Sequence, residues 1–394
     1  MTQSPAAHDR RFVLWLSVAQ LITWGSVFYG FSLLMEPVER ELGLTRAQSS
    51  LAFSLALFAE GAAAFPIGRW IDAGHERAVM TGGSLLAGVC LIVHSFVHSQ
   101  AAFYAVWLLL GVALAGTLYN PVFAVVTRRF PQDFRRAIIT LTFLGGLAST
   151  VMIPIFAGLI SAMGWRQALW VLAGLQLLVC APLHFVQLRN APGPVVHAHA
   201  VKPPHEHMTS APYILIGVFT VGMMAVTAAL PPHMISLLRG AGLDEKWVIA
   251  IPASIGAIQV LGRLLLFFFE HRFDVHVANR TIPMLIPISL AFLLFAGGYV
   301  WGAALFVIFF GLGNGMMTIV KGTAIAQYVS RENIGALTGA LGPPTAVARA
   351  VMPWLLGSLW TAQAGYSVGL SVLIAICAAG AGALVLAQRI ALKR

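Results

Sequence analysis

Four ionisable residues lie inside stretches of sequence that are otherwise almost wholly apolar. They are Glu60, Arg263, Lys321 and Arg349. A charge at the centre of a lipid bilayer is unfavourable by roughly 2.5–3.5 kcal/mol, so such a residue persists where it faces a cavity, has a partner or binds something. Because three of the four residues are bases, the chemistry that they favour is the binding of an anion.

The composition indicates the class of protein in which these residues lie. Hydrophobic residues make up 59% of the 394 and charged residues only 10%, whereas soluble domains carry about 25% charged residues. The chain is therefore expected to be an all-α integral membrane protein. A spanning helix needs about 20 mostly apolar residues, and the sequence contains twelve such segments. The predicted spans are 12–35, 47–71, 78–98, 101–127, 136–162, 166–188, 211–238, 246–270, 278–299, 302–329, 334–361 and 366–389.

Lys and Arg residues are distributed unequally between the connecting loops. Sixteen of them fall on the side of the N-terminus and five on the opposite side. The positive-inside rule then predicts that both termini are cytoplasmic, in a multi-pass protein of a bacterial-type inner membrane. The first span, preceded by Arg10 and Arg11, is too long for a signal peptide and is expected to be retained. The net charge of +10 follows from the loop bias, and no soluble basic domain is left to bind nucleic acid.

A polar segment divides the spans into two sets of six. Residues 190–210 contain four prolines and four histidines, so we expect a mobile or extended cytoplasmic linker there. It separates an N-terminal half, 1–189, from a C-terminal half, 211–394. Two sets of six helices around a linker indicate two repeats that flank a substrate path in the bilayer.

The loop after the second span, residues 68–77, reads GRWIDAGHER. It resembles the G-x-x-x-D-x-x-G-x-R loop of the major facilitator superfamily, with the second glycine one place early. In that reading Gly68 allows close helix approach, Asp72 pairs with a base or a helix N-terminus, Gly74 supports a tight turn, and Arg77 completes the motif. The resemblance implies the major facilitator fold and a loop that latches one conformation of a secondary transporter.

A finer resemblance concerns the first span and its outer loop. The sequence WGSVFYG at 24–30, followed by ELGLTR at 41–46, looks like monocarboxylate and oxalate–formate carriers. Those carriers have an Arg in the eighth helix, and the oxalate carrier has a base in the eleventh, where Arg263 and Arg349 lie here. The monocarboxylate carriers also have an Asp one turn before the first Arg, and this chain has Gln259. A proton relay based on that Asp is therefore not implied.

The three buried bases and their neighbours are the candidate binding residues. Arg263 shares a helix face with Gln259, four residues earlier, and its guanidinium is suited to gripping a carboxylate in bidentate fashion. Arg349 lies among prolines that break its helix, as happens where a helix lines a cavity. Lys321 either binds the anion or extends its stem to the membrane surface. For Arg263 the alternative is a structural pair, for example with Glu60.

Glu60 and three polar residues complete the set. A carboxyl group in hydrocarbon favours its neutral form, so Glu60 either carries a proton during transport or serves as the fixed counter-ion of an arginine. Tyr29, Asn120 and His233 lie in the first, fourth and seventh spans, which line the cavity in the family. Each binds substrate or, alternatively, bonds a neighbouring helix.

Two other readings of the sequence remain open. The first is an exporter of drugs or other amphiphiles, although the G-x-x-x-G-P-x-x-G-G pattern of drug antiporters is absent from the fifth span. The second is a membrane sensor or metal-handling protein that uses His197, His199, His205 and His207 of the linker. No metal site or cofactor is predicted, because the prolines give the histidines no rigid frame.

The sequence as a whole predicts a secondary transporter of a small organic anion, with no enzyme activity of its own. Its cargo is expected to be a carboxylate, moved by alternating access and coupled to protons through Glu60. No phosphate-binding loop of the ATP-driven type is present in the sequence, and no nucleophile elbow. The partners expected are the anionic substrate, protons and the lipid bilayer.

Overall fold

The computed structural model describes residues 5–130, 134–189, 205–269, 274–330 and 334–393. Within these ranges the chain is helical and no β-strand is present, which confirms the all-α prediction. The chain forms two compact units, residues 1–196 and residues 197–394.

The described residues of the first unit form ten α-helices. They are α1 Pro5–Thr23, α2 Phe31–Leu42, α3 Arg46–Trp70, α4 Glu76–His94, α5 Gln100–Thr117, α6 Tyr119–Arg129, α7 Phe134–Gly146, α8 Ala148–Met163, α9 Trp165–Leu175 and α10 Ala181–Gln187. Three π-helical turns, Trp24–Tyr29, Ile71–His75 and Gln176–Cys180, join α1 to α2, α3 to α4 and α9 to α10.

The second unit contains nine α-helices within the residues described. They are α11 His205–Met208, α12 Ala211–Gly240, α13 Glu245–Phe269, α14 Val275–Thr281, α15 Leu285–Ala296, α16 Val300–Tyr328, α17 Ile334–Ala340, α18 Gly342–Ser358 and α19 Ser367–Ala391. The single turn of α11 lies in the segment expected to be extended. The four prolines of the linker precede this turn in sequence, and residues 205–208 contain none that would break it. Residues 190–204 of the predicted linker lie outside the described part of the chain.

Ten helical runs in the described residues are long and apolar enough to cross a membrane. The run Arg46–His94 covers two predicted spans, because only the short segment Ile71–His75 separates α3 from α4, and Gly74 leaves the helical conformation there, at φ 93°. The predicted span 334–361 is divided into α17 and α18, each shorter than a full crossing. These two differences account for ten runs where the sequence predicts twelve spans.

Local signals in the sequence explain where several helices begin and end. Thr45 caps α3 through a reciprocal bond with Gln48, which forms a capping box. Gly43 ends α2 in the left-handed conformation, at φ 64°. The break between α17 and α18 falls at Leu341, immediately before Gly342 and the pair Pro343 and Pro344, whose rings cannot donate to the preceding turn.

Small residues bring some of the helices into backbone contact. In the first unit, a Cβ built on Gly111 of α5 would lie 2.1 Å from the carbonyl oxygen of Ala56 in α3. In the second unit, a Cβ on Gly315 of α16 would lie 2.2 Å from the Gln259 carbonyl of α13, and one on Gly262 would lie 2.9 Å from the Leu312 carbonyl. Any side chain at these glycines would force the paired helices apart.

Candidate functional site

The motif residues lie at the junction of α3 and α4: Gly68 is in the last turn of α3, Asp72 and Gly74 are in the loop Ile71–His75, and Arg77 is in the first turn of α4. Gly74 has φ 93°, in the left-handed region that glycine adopts without strain, so the tight turn expected there is present. The expected reason for Gly68 is wrong, because no atom lies within 4 Å of where its Cβ would be. Asp72 is half-buried and has interactions with other residues of the chain. Its role as a latch stays a prediction.

Arg77 connects this loop to the end of the sixth span. Its Nε donates to the Phe185 carbonyl at 2.8 Å, and its guanidinium lies 3.6 Å from the centroid of the Phe185 ring. A guanidinium stacked on an aromatic face gains a cation–π attraction as well as the hydrogen bond. Arg77 therefore fixes the start of α4 against α10.

The strongest charge cluster of the first unit is one that the sequence analysis missed. Glu76 is fully buried. Its carboxylate lies 2.5 Å from Nη2 of Arg129 and 3.4 Å from Nη1 of Arg128, and Arg128 also donates to the carbonyl of Ile71. The pairs Glu76–Arg77 and Arg128–Arg129 were visible as charges near loops, but Glu76 and Arg128 are 52 positions apart, so the sequence did not reveal their contact.

Glu60 and Asn120 line one cavity in the first unit. The cavity has a volume of about 80 Å³ and lies between α3 and the junction of α5 and α6. Glu60 is buried, with 7% of its surface exposed, and it interacts with other residues of the chain. The remaining lining residues are Ala64, Ile67, Gly68, Ile71, Leu114, Ala115, Leu118, Pro121 and Ala124. The structure thus brings together two residues that the sequence predicted separately.

The helix break that places Asn120 has a sequence cause. Leu118 adopts an extended conformation between α5 and α6, and Pro121 has no N–H for the carbonyl of Thr117, four residues earlier. Gln20 donates to that carbonyl at 2.5 Å instead. The chain therefore changes direction just before Asn120 while the freed backbone oxygen keeps a partner.

Tyr29 belongs to an aromatic cluster at the π-helical turn of the first span. Its ring centroid is 5.4 Å from that of Phe28 and 6.2 Å from that of Trp24, and Trp24 lies 5.0 Å from Tyr119. Tyr29 is half-buried, so part of the ring is accessible. The structure shows an apolar and aromatic surface here, and substrate contact by Tyr29 stays a prediction.

Two of the predicted bases interact in the second unit. Lys321 of α16 lies within electrostatic range of Arg349 of α18. The Lys321 ammonium donates to the Met224 sulfur in α12, and it makes no ion pair with any described residue. A thioether is a weak acceptor that carries no charge. Lys321 therefore lies in apolar surroundings beside α12, within the electrostatic influence of Arg349.

Arg263 and Gln259 lie on α13, four residues apart, as their sequence spacing required. Gln259 is buried, with 6% of its surface exposed, and its carbonyl lies against Gly315. Arg263 is half-buried and interacts with other residues of the chain. The backbone contact between α13 and α16 fixes both residues relative to the helix that carries Lys321.

His233 has protein partners on both ring nitrogens. It is fully buried in α12, with Nδ1 3.0 Å from the Tyr366 hydroxyl and Nε2 2.8 Å from the Pro353 carbonyl. A carbonyl only accepts, so Nε2 carries the proton and Nδ1 accepts from Tyr366. His233 thereby connects α12 to α18 and to the start of α19, and its predicted contact with substrate stays a prediction.

The described residues contain no group of three or more His, Cys, Asp or Glu side chains that could hold a metal ion. His197 and His199 lie outside the described residues. Cys90, Cys180 and Cys377 are all buried with free thiols, in keeping with their positions in three separate spans.

Helices of this length, folded back repeatedly in two units, define a multi-pass membrane protein. The model of the Major Facilitator Superfamily matches residues 16–353. The chain therefore belongs to the Major Facilitator Superfamily, and it is a membrane transporter, not an enzyme.

Known proteins resemble the chain in sequence and in structure. The multidrug resistance protein MdtL of Klebsiella pneumoniae is 25% identical over 201 residues, which cover 50% of this chain and 49% of MdtL. The match thus spans about half the length of that relative. A mutant of the nucleoside transporter NupG superposes with a TM-score of 0.74 at 13% identity, covering 96% of this chain and 99% of NupG.

A second solved structure is a bacterial homologue of the human lysosomal transporter Spinster, inward-facing and unoccupied. It superposes with a TM-score of 0.71 at 16% identity, over 100% of this chain and 99% of that one. At these identities the likeness establishes the fold. The narrower resemblance to carboxylate carriers is not confirmed by these comparisons.

Proposed function

We propose that the protein moves a small organic anion, a carboxylate, across the bacterial inner membrane by alternating access. The observation that carries the proposal is that Lys321 lies in apolar surroundings beside α12, within electrostatic range of a second base, Arg349. Two like charges in a medium of low dielectric constant repel each other strongly. A bound carboxylate offsets this repulsion, and the Arg349 guanidinium can bind it by donating two parallel N–H bonds.

The surroundings of Lys321 leave its charge available to an anion. The only polar bond of Lys321 in the described chain goes to the Met224 sulfur, so its charge is not neutralised there. Arg349 follows the α17–α18 break and precedes Pro353, which has no N–H for the Arg349 carbonyl. Irregular backbone of this kind is tolerated in a membrane where it lines a cavity.

Proton coupling through Glu60 and a cytoplasmic position of both termini belong to the same proposal. Glu60 is a buried acid in a cavity, and the loop charges favour this orientation. Arg263, Gln259, Tyr29, Asn120 and His233 are further candidates for substrate contact. The halves 1–189 and 211–394 are proposed as the moving parts, with 190–210 as their linker.

The binding of carboxylates to the purified protein tests the proposal directly. The purified protein is screened by thermal unfolding against small mono- and dicarboxylates. A ligand that binds only the folded state stabilises it by about 2.7 kcal/mol at a hundred times its dissociation constant. Arg263→Gln and Arg349→Gln should each weaken binding roughly ten- to a hundredfold, because a charge-assisted bond contributes about 1.5–3 kcal/mol. Arg349→Lys should not restore it fully, since the planar fork is lost.

Arg239→Gln is the matched control, since Arg239 is partly exposed and pairs with the exposed Glu245. It should bind as the parent does. Equal affinity in the parent, Arg263→Gln and Arg349→Gln would refute the anion site.

Drug export is the second candidate, because the sequence match to MdtL covers half of the chain. Competition by simple carboxylates distinguishes the two functions. Simple carboxylates should displace a bound carboxylate, whereas they should leave the export of an uncharged amphiphile unchanged.

A metal-sensing role for the linker is tested by deleting residues 195–208. A transporter of the proposed kind should tolerate that deletion with little loss of uptake.

A further inference from the structure

We infer that the cavity between Glu60 and Gly68 is a water-filled passage that carries protons between Glu60 and the loop of residues 71–75. This inference rests on the proposed proton coupling and specifies its route. The cavity follows one face of α3, since Glu60, Ala64, Ile67, Gly68 and Ile71 recur at helical spacing. Eleven residues of α-helix extend roughly 16 Å, from the buried carboxyl group to the motif loop.

Gly68 keeps this route open. A Cβ at Gly68 would meet no atom within 4 Å, although the residue lines a cavity between packed helices. By contrast, a Cβ at Gly111 of the neighbouring α5 would lie 2.1 Å from the backbone of Ala56. The absent side chain at Gly68 is thus matched by empty space, and a larger residue would project into the passage without moving the backbone.

The size of the cavity and its lining indicate that it holds water and protons. A volume of about 80 Å³ leaves room for several water molecules and is well below the roughly 300–1,000 Å³ of pockets that bind organic ligands. Only two lining side chains are polar, the carboxyl group of Glu60 and the amide of Asn120. This lining has too few oxygen ligands for a calcium ion, which takes six to eight. A proton needs one carboxylate and a chain of water.

The transfer step is balanced without any further reactant. A hydronium ion in the cavity gives its proton to the Glu60 carboxylate. One O–H bond of the hydronium breaks as one forms on the carboxyl group, and neutral water and a neutral acid remain. The reverse step returns the proton to the water. Asn120, which both donates and accepts, holds water beside the carboxyl group.

Gly68→Val tests the passage by filling it. Valine is about as compatible with a helix as glycine, so the folded structure should be retained. The matched control is Gly82→Val in α4, where a Cβ would also meet no atom within 4 Å. Both variants and the parent are reconstituted in liposomes. Anion counterflow at equal pH and accumulation driven by a pH gradient are measured on each preparation.

The inference predicts that Gly68→Val retains counterflow but loses at least nine-tenths of pH-driven accumulation, while Gly82→Val retains both. Full pH-driven accumulation by Gly68→Val would overturn it, as would a loss of counterflow equal to the loss of accumulation. If the parent itself shows counterflow without a response to the pH gradient, proton coupling fails. If the parent shows no anion counterflow, the proposed function fails.

A second measurement does not depend on transport. The infrared band of the protonated Glu60 carboxyl group, assigned by its absence in Glu60→Gln, shifts when H₂O is replaced by D₂O. The shift should be at least tenfold slower in Gly68→Val than in the parent or in Gly82→Val. Equal exchange rates in all three proteins would show that protons reach Glu60 by another route.

Discussion

Glu76→Gln is expected to destabilise the first unit strongly. The Glu76 side chain is fully buried, and those of Arg128 and Arg129 are 7% and 14% exposed. Arg129 contacts the carboxylate through both Nε, at 2.6 Å, and Nη2, at 2.5 Å. Glutamine keeps the shape of the side chain but has no charge, so two nearly buried guanidinium groups would lose their counter-ion.

The magnitude follows from this burial. Removing one partner of a buried ion pair lowers the free energy of unfolding by about 3–5 kcal/mol, because the remaining charge stays in a poor solvent. That corresponds to roughly two to four orders of magnitude in the ratio of folded to unfolded protein. For a unit of this size, the midpoint of thermal unfolding should fall by roughly 10 °C.

Glu245→Gln supplies the matched control. The pair Arg239–Glu245 has a similar shortest distance, 2.6 Å, but its side chains are 37% and 63% exposed. Exposed pairs contribute about 0–1 kcal/mol. Thermal unfolding of both purified variants in the same detergent should therefore separate them clearly. Equal midpoints for Glu76→Gln and Glu245→Gln would refute the argument that burial determines the strength of the cluster.

Three further predictions concern single residues. Asp72→Asn should slow transport several-fold with little change in substrate affinity, and should alter cysteine accessibility on the loop side; transport at the parent rate would exclude a latch. The N–H of Val277 holds the pKa of Asp274 below its ordinary value, so the charged cap stabilises the folded state above about pH 4; the stability difference between the parent and Asp274→Ala should shrink as the pH falls further. His233→Phe should lower the unfolding free energy by about 1–3 kcal/mol, because the buried Pro353 carbonyl loses its donor; a purely structural role leaves anion affinity unchanged.

Features set by local sequence were predictable. Glycine favours left-handed turns and proline breaks helices in any protein. The turn at Gly74 and the division of the eleventh span beside Pro343 and Pro344 follow from these preferences. The membrane class followed from composition. The run from Arg46 to His94 was predicted as two spans, and the non-helical conformation of Gly74 between α3 and α4 agrees with that division.

Features that depend on distant residues were not predictable. Glu76 and Arg128 are loop charges in the sequence, and only the folded chain shows that they meet. Glu60 and Gly68 were assigned separate roles, although they line one cavity. Helical spacing places both on one face of α3, but the empty space beside them is determined by α5 and α6, whose position no local pattern encodes.

The backbone contacts of Gly262 and Gly315 restrict the motions of the second unit. A carbonyl group of each helix lies against a glycine of the other, so α13 and α16 are packed backbone to backbone. They are expected to move as one body, which carries Arg263 and Lys321 at a constant separation. Any movement of this helix pair should therefore leave the distance between the two bases, and hence their electrostatic repulsion, unchanged.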